Sequence, residues 1–270
     1  MSDLQGKFQK AIRLGTHGED YGSWMSNPVF YMVGGLTALA ALLAVLSFAV
    51  FHIFVPGILF VIIVAGLLAL LGWITWIRRQ YAFDGGRIME RVHQTILSHM
   101  DYDGKGTLLE VGCGAGALSI RAALTWQETK VVGIDYWAPV YNYSQALCEK
   151  NAVSEGAGDR CTFCRGDANK LDFPDGSFDA VVSNYVYHNI TGADKQQLLL
   201  ETLRVLKKGG VFALNDEMKP GMYGDMEAFA QKLRDMGYEE VRLIDTAKEV
   251  FGSHRRAAMM MLGASRMLVG

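Results

Sequence analysis

The sequence predicts a doubly wound α/β sheet that is mostly parallel, preceded by a two-helix transmembrane hairpin. An uncharged apolar run from Val29 to Ile77 indicates the hairpin. Beyond it, short apolar runs typical of buried strands alternate with helical patterns, which favours a sheet covered on both faces. The stretch "LLEVGCGAGAL" at 108–118 adds a glycine turn between the first of these strands and the next helix.

The apolar run is long enough for two membrane spans. It contains no Asp, Glu, Lys or Arg and has Pro56 and Gly57 near its middle, while one span needs about 20 residues. We therefore predict spans at 29–50 and 58–77, joined by a turn. A soluble helix pair is the alternative, but it would need a polar face, and the run has none.

Basic residues flank the run on its two outer sides and are absent from the turn. Lys10 and Arg13 precede the run, and Arg78 and Arg79 follow it. The positive-inside rule then places both termini and the α/β domain in the cytoplasm. The predicted parts are a cytoplasmic segment, the hairpin and the α/β domain, at 1–28, 29–77 and 78–270.

Small residues recur at helical spacing in both predicted spans. They allow close helix packing, within the chain or between copies in a homo-oligomer; the residues are Gly34, Ala38, Ala41, Ala65, Ala69 and Gly72.

Charge and cysteine content exclude some classes of function. The formal net charge is −2 and no long basic run occurs, so we expect no nucleic-acid partner. The pair Cys161 and Cys164 has the spacing of half a zinc site, but it lies in a predicted strand, where residues three apart point to opposite faces. We therefore predict no metal, and free thiols in a cytoplasmic domain.

The α/β part is predicted to contain seven strands, of which the last two are short additions after the final helix. The strands are 107–111, 130–134, 160–164, 178–183, 211–214, 240–244 and 265–269. The predicted helices are 85–100, 117–124, 140–152, 194–206 and 226–236.

Polar residues cluster where the strands end, which is where open α/β sheets bind ligands. The second strand ends in Asp135, and a carboxylate there can accept both hydroxyls of a ribose. By itself the glycine turn also satisfies the G-x-G-x-x-G/A dinucleotide fingerprint through Gly112, Gly114 and Ala117, so a nicotinamide-dependent oxidoreductase stays open.

Four stretches in order, "LLEVGCGAG", "VVGID", "RGDANKLDFPDGSFDAVVSN" and "LRVLKKGGVFALND", resemble the class I S-adenosylmethionine-dependent methyltransferases, which have a Rossmann-like sheet. Their local sequence is similar to the small-molecule branch that includes ubiquinone and menaquinone biosynthesis methyltransferases. The order of motifs also weighs against the nicotinamide alternative, since an acidic residue after the third strand has no place in the dinucleotide fingerprint.

The resemblance implies a cofactor site for S-adenosyl-L-methionine at numbered positions of this sequence. The first motif would lie against the methionine part, Asp135 would hold the ribose, Tyr136 would pack on adenine and Asp167 would read its amino group. The full set of implied cofactor residues is Glu110, Gly112, Gly114, Gly116, Asp135, Tyr136, Asp167, Ala168, Ser183 and Asn184.

Fewer residues are predicted to act on the methyl acceptor or to contact it. His188 lies in the loop expected over the cofactor and is the candidate base, against the alternative that it only shapes that loop. We expect Tyr81, Tyr185, Tyr187 and Asp216 to line the acceptor site.

The short link between hairpin and domain predicts an acceptor dissolved in the lipid bilayer, such as a quinol precursor, a lipid or a hydrophobic thiol. A sensor or scaffold that binds the cofactor without turnover, and an enzyme that methylates protein at the membrane surface, are the alternatives.

Overall fold

The computed structural model describes residues 14–16, 18–22, 27–138 and 143–270. These residues fall into two compact units. The described part of one comprises 27–87, and that of the other comprises 14–16, 18–22, 88–138 and 143–270. The predicted helix start near Val140 and the flanking Lys10 and Arg13 lie outside the described residues.

The first unit is a pair of long apolar helices, α1 (Asn27–Ala49) and α2 (Phe54–Tyr81). Both are long and apolar enough to cross a membrane, with mean hydropathies of 2.3 and 2.9. Their large side chains are mostly exposed, whereas a soluble helix pair would bury one face. Examples are Tyr31, Met32, Phe54, Val55 and Ile62.

Polar groups within the pair are satisfied locally. The hydroxyls of Thr37, Ser47 and Thr75 donate to carbonyls one turn earlier in the same helix, so none of the three is left unpaired. Arg78 Nη2 donates to Asn27 Oδ1 over 2.8 Å. This bond joins the start of α1 to the last turns of α2, so the two helices form a hairpin. The chain enters α1 and leaves α2 at the same end of this hairpin.

Two details of the hairpin differ from the sequence prediction. Pro56 and Gly57 lie in the first turn of α2 and not in the connecting turn, because first-turn N–H groups have no helical partner and proline costs little there. Gly34 and Gly72 face open space, so the predicted small-residue stripe is not the packed face. Helix α1 instead buries Val33, Ala40, Ala44 and Ser47.

The second unit is an α/β domain built on a seven-stranded sheet in the order β3-β2-β1-β4-β5-β7-β6. The strands are β1 (Lys105–Val111), β2 (Glu128–Asp135), β3 (Cys161–Arg165), β4 (Phe178–Asn184), β5 (Leu206–Glu217), β6 (Arg242–Ile244) and β7 (Ser265–Val269). Strands β1 to β5 are parallel, and β7 runs antiparallel to both β5 and β6. The predicted fold class is confirmed.

Helices cover both faces of the sheet. They are α3 (Ile88–Ser98), α4 (Ala117–Thr125), α5 (Gln145–Ser154), α6 (Lys195–Arg204), α7 (Pro220–Tyr223), α8 (Met226–Asp235), α9 (Thr246–Phe251) and α10 (His254–Met259). The sequence does not predict the three shortest, α7, α9 and α10, because helices of four and six residues are too short to show a periodicity. Several begin at side-chain caps, such as Asp194 before α6 and Asp225 before α8.

Strand β5 is longer than predicted. It begins at Leu206, which pairs with Phe178 of β4, and passes through Gly209 and Gly210 before the pairing resumes at Val211. An irregularity between Phe178 and Ala180 absorbs the extra residues, so the glycines that predicted a turn form part of a bulged strand. The long strand carries Asn215, Asp216 and Glu217 to the carboxyl edge of the sheet.

Candidate active site

The strand order reverses at β1, which lies between β2 and β4. Side chains and loops at the carboxyl ends of β1, β2, β4 and β5 therefore surround one crevice, the position where open α/β sheets bind ligands. The predicted glycine loop follows β1 at this point.

The glycine loop has the backbone geometry that only glycine adopts readily. Gly112, Gly114 and Gly116 have φ angles of 77°, 55° and 84°. Gly116 is the N-cap of α4 and makes no side-chain cap, so the first turn of α4 presents backbone N–H groups without a competing cap. This arrangement fits the carboxylate of a methionine moiety.

Asp135 holds the loop and faces the crevice. Its Oδ2 accepts from Gly114 N over 2.8 Å, and its Oδ1 accepts from Trp137 N over 2.7 Å. A carboxylate has about four lone-pair positions, so both oxygens retain capacity for the two hydroxyls of a ribose. The indole Nε1 of Trp137 donates to Gly114 O over 2.9 Å and ties the same peptide to the end of β2.

Glu110 lies beneath the loop and is almost fully buried. Burial raises the pKa of its carboxyl to about 8, against an opposing hydrogen bond from the Ser119 hydroxyl. Because that bond joins β1 to α4, Glu110 stabilises the loop from below. Its contribution to a cofactor site is therefore indirect.

The predicted adenine residues lie at the ends of β2 and β3. The Tyr136 ring is 56% exposed, and the Arg165 guanidinium lies 4.7 Å from its centroid. Asp167 is exposed, and its Oδ1 accepts two hydrogen bonds from Asn169. Ala168 is half-buried and packs against the hydrophobic core.

Ser183 and Asn184 close the crevice on the side of β4. Ser183 is fully buried and its hydroxyl donates to Val111 O over 2.9 Å. Asn184 Oδ1 accepts from Asn215 Nδ2, while Asn184 Nδ2 lies 3.3 Å from Met89 Sδ. Each residue fixes the end of β4 relative to a neighbouring element.

His188 and Asp216 form a hydrogen-bonded pair above β4 and β5. His188 Nδ1 lies 2.5 Å from Asp216 Oδ1, and His188 N donates to Asp216 Oδ2 over 3.2 Å. The aspartate is fully buried, whereas the imidazole is 27% exposed. Asp216 therefore orients His188, and the prediction that Asp216 contacts the acceptor is wrong because its carboxylate is occupied and enclosed.

The three tyrosines predicted to line the acceptor site lie in different surroundings. Tyr187 is fully buried among core side chains, with its hydroxyl 2.8 Å from Thr202 Oγ1, so it supports the fold and is not a wall of the acceptor site. Tyr185 is partly exposed and has a positive φ of 56°, and its hydroxyl lies 2.7 Å from Ser265 Oγ. Tyr81 is the last residue of α2 and belongs to the helix pair.

Comparison with known proteins bears on the class of the α/β domain. Residues 109–214 match the family described as "Methyltransferase domain". Residues 109–214 are thus similar to methyltransferase domains, and the fold and the glycine loop agree with the class I S-adenosylmethionine-dependent methyltransferases that the sequence resembles, whose cofactor is S-adenosyl-L-methionine. The nicotinamide alternative is thereby set aside.

Three curated relatives are similar to part of this chain. The chain is 30% identical to 27-O-demethylrifamycin SV methyltransferase of Amycolatopsis mediterranei, over 56% of this chain and 52% of that protein. It is 29% identical to a sterol 24-C-methyltransferase of Aspergillus fumigatus (53% and 36%) and 30% identical to demethylmenaquinone methyltransferase of Roseiflexus castenholzii (43% and 44%). The chain thus spans about half or less of the length of these relatives.

Cysteines add no metal site in the described part of the chain. Cys161 and Cys164 lie in β3 as predicted, and all four cysteines are free. Within the described ranges, no group of three or more His, Cys, Asp or Glu side chains is arranged to hold a metal ion.

Proposed function

We propose that this protein is a membrane-anchored enzyme that transfers a methyl group from S-adenosylmethionine to a small, apolar acceptor dissolved in the bilayer. One observation carries the proposal: residues 82–87 alone join the apolar helix α2 to α3 of the methyltransferase domain. So short a link confines the domain to the membrane surface and raises its effective concentration toward lipid-dissolved molecules.

The exposed apolar surface of α1 and α2 supports the membrane part of the proposal, because water would not tolerate it. The names of three relatives support the acceptor class, whereas a fourth, from Caenorhabditis elegans, is named for methylation of ribosomal RNA. A rifamycin, a sterol and a demethylmenaquinone are all largely apolar small molecules, and they are the acceptors named for those proteins.

The orientation of the hairpin is also part of the proposal. Segment 14–22 precedes α1, yet it belongs to the same compact unit as the domain that follows α2. Two segments that fold together lie on one side of a membrane, and Arg78 and Arg79 at the end of α2 favour the cytoplasmic side.

His188 is the proposed base for an acceptor that must lose a proton. A carboxylate only accepts hydrogen bonds, so Asp216 holds the tautomer in which Nδ1 carries the hydrogen and Nε2 accepts a proton. The bound cofactor supplies an already activated methyl group on a sulfonium. The remaining work of the chain is to align the acceptor and exclude water, for which Tyr185 lies beside the His188 ring, 6.5 Å between centroids.

Methyl-labelled S-adenosylmethionine tests the proposal directly. Membranes that contain the full-length protein are incubated with the labelled cofactor and separated into lipid extract, protein pellet and nucleic acid. We expect label in the lipid extract that is lost in His188→Gln membranes. Label in the protein or nucleic acid, or none in any fraction, would contradict the proposal and favour a protein or nucleic-acid acceptor or a sensor without turnover.

A further inference from the structure

The segment that precedes the hairpin is bound to helix α5 of the methyltransferase domain. This segment, here called the clamp, comprises the described residues 14–16 and 18–22. Gly15 N and the Tyr21 hydroxyl both donate to Glu155 Oε1, over 2.7 and 3.0 Å. Leu14 and Tyr21 are buried, so the clamp is packed against the domain as well as hydrogen-bonded to it.

One side chain joins the clamp to the glycine loop. Asn151 Oδ1 accepts from Asp20 N over 3.2 Å, and its Nδ2 donates to Asp20 O and to Ala115 O over 2.9 and 3.0 Å. Asn151 is fully buried. An amide has two N–H donors, so both are satisfied only while the clamp and the loop are in place together. Loss of either partner leaves a buried donor unpaired, which is unfavourable.

An aromatic ring makes a second connection between the same two segments. A β-carbon at Gly22 would lie 2.6 Å from Tyr143 Cε1, and one at Gly114 would lie 3.7 Å from Cδ2 and Cε2 of the same ring. The Tyr143 ring is thus packed between the clamp and the loop. Gly114 is the residue whose N–H is held by Asp135.

We propose that the clamp is a working part of the cofactor site, and that Asn151 and Tyr143 are positioning residues that transmit its docking to the glycine loop. In the chain, only residues 23–26 separate the clamp from α1. The clamp therefore lies between the glycine loop, which it contacts through Asn151 and Tyr143, and the start of the hairpin. Binding of S-adenosylmethionine and docking of the clamp then favour each other, because both require one conformation of the loop. The inference takes only the identity of the cofactor from the proposed function, and it does not depend on the identity of the methyl acceptor.

Two glycines of the clamp provide a matched test. Gly22 and Gly18 both have positive φ, at 61° and 88°, but a β-carbon would press on Tyr143 only at Gly22, and nothing lies within 4 Å at Gly18. Affinity for S-adenosylmethionine is measured by calorimetry on full-length protein in detergent. We expect Gly22→Ala to weaken binding by about tenfold, and Gly18→Ala to leave it within about twofold of wild type.

Hydrogen exchange gives the reciprocal measurement on the wild-type protein. Saturating S-adenosylmethionine is expected to slow exchange of the clamp amides. Tyr21→Phe, which removes one clamp hydrogen bond, is expected to raise KM for the cofactor by a larger factor than it lowers kcat. If Gly22→Ala lowers Tm while affinity for the cofactor is unchanged, or if the cofactor leaves exchange in the clamp unaltered, the clamp is only structural and the inference fails. The calorimetry and the hydrogen exchange use no acceptor, so their failure is distinct from failure of the labelling experiment.

Discussion

At the scale of single residues, the site separates groups that face the crevice from groups that support it. Asp135 and His188 are the residues proposed to hold the ribose and to accept a proton, whereas Glu110, Asp216 and Tyr187 are buried beneath them. All of them were candidates from the sequence because they lie near strand ends. Burial and hydrogen-bond partners, which depend on distant residues, divide them into two roles.

The base proposed at His188 has a direct test. General base catalysis contributes about 10²–10⁴-fold to a rate, so we expect His188→Gln to reduce kcat by roughly 100-fold or more while KM for S-adenosylmethionine stays the same. Asp216→Asn should approach the same loss because an amide can donate to Nδ1 and reverse the tautomer. Equal kcat for wild type and both variants would show that the pair only shapes the loop.

The raised pKa of the Glu110 carboxyl predicts how the stability of the protein depends on pH. Its folded pKa of about 8 lies above the ordinary value of 4.5, so the folded protein binds more protons between these values than the unfolded chain. Glu110 therefore makes its complete contribution to the free energy of unfolding below pH 4.5. This contribution is lost as the pH rises through 8. We expect the Tm of Glu110→Gln, measured by thermal unfolding, to rise relative to the Tm of wild type between pH 5 and pH 9.

Glu239→Gln, at an exposed position, is the control for that series. A constant difference in Tm between Glu110→Gln and wild type across the range would mean that Glu110 does not titrate there.

At the scale of elements, the crevice depends on contact between two loops. A β-carbon at Gly112 would lie 2.1 Å from Val186 Cγ2, in the loop that follows β4. The glycine loop and the His188 loop are therefore packed together. Strand β1 and strand β4 place these loops side by side through their parallel pairing.

A comparison of two glycines measures that contact. Gly112 and Gly192 share a φ of 77°, but nothing lies within 4 Å of a β-carbon at Gly192. Both alanine variants carry the same backbone strain, so we expect a larger fall in Tm and in cofactor affinity for Gly112→Ala. The added substitution Val186→Ala should restore part of the loss; equal effects at the two glycines would argue against packing of the loops.

The sequence predicts most of the elements and only part of the site. Local periodicity and turn residues identify all seven strands, and the glycine loop and Asp135 follow from spacing alone. Asn151 with Asp20, Trp137 with Gly114, and Asp216 as the partner of His188 are contacts between distant positions or depend on the folded loops. No periodicity encodes such contacts, so sequence reasoning misses the clamp and misassigns Asp216.

At the scale of the whole molecule, two apolar helices are inserted between parts of one folded domain. The described residues 14–16 and 18–22 belong to the same compact unit as residues 88–138 and 143–270, although the hairpin separates them in the chain. We expect tags added before Met1 and after Gly270 to be digested from the same face of sealed vesicles. Digestion of the two tags from opposite faces would contradict the hairpin.

The central claim is that the loop from Gly112 to Gly116 and the carboxylate of Asp135 bind S-adenosylmethionine. Calorimetry on the full-length protein in detergent is the most direct test, with Asp135→Asn as a variant of the same shape. We predict binding to wild type, a loss of roughly 100-fold in affinity for the variant, since bonds to a charged acceptor are strong, and no binding of a nicotinamide dinucleotide. Absence of binding to folded wild-type protein, or equal affinity in Asp135→Asn, would contradict the account.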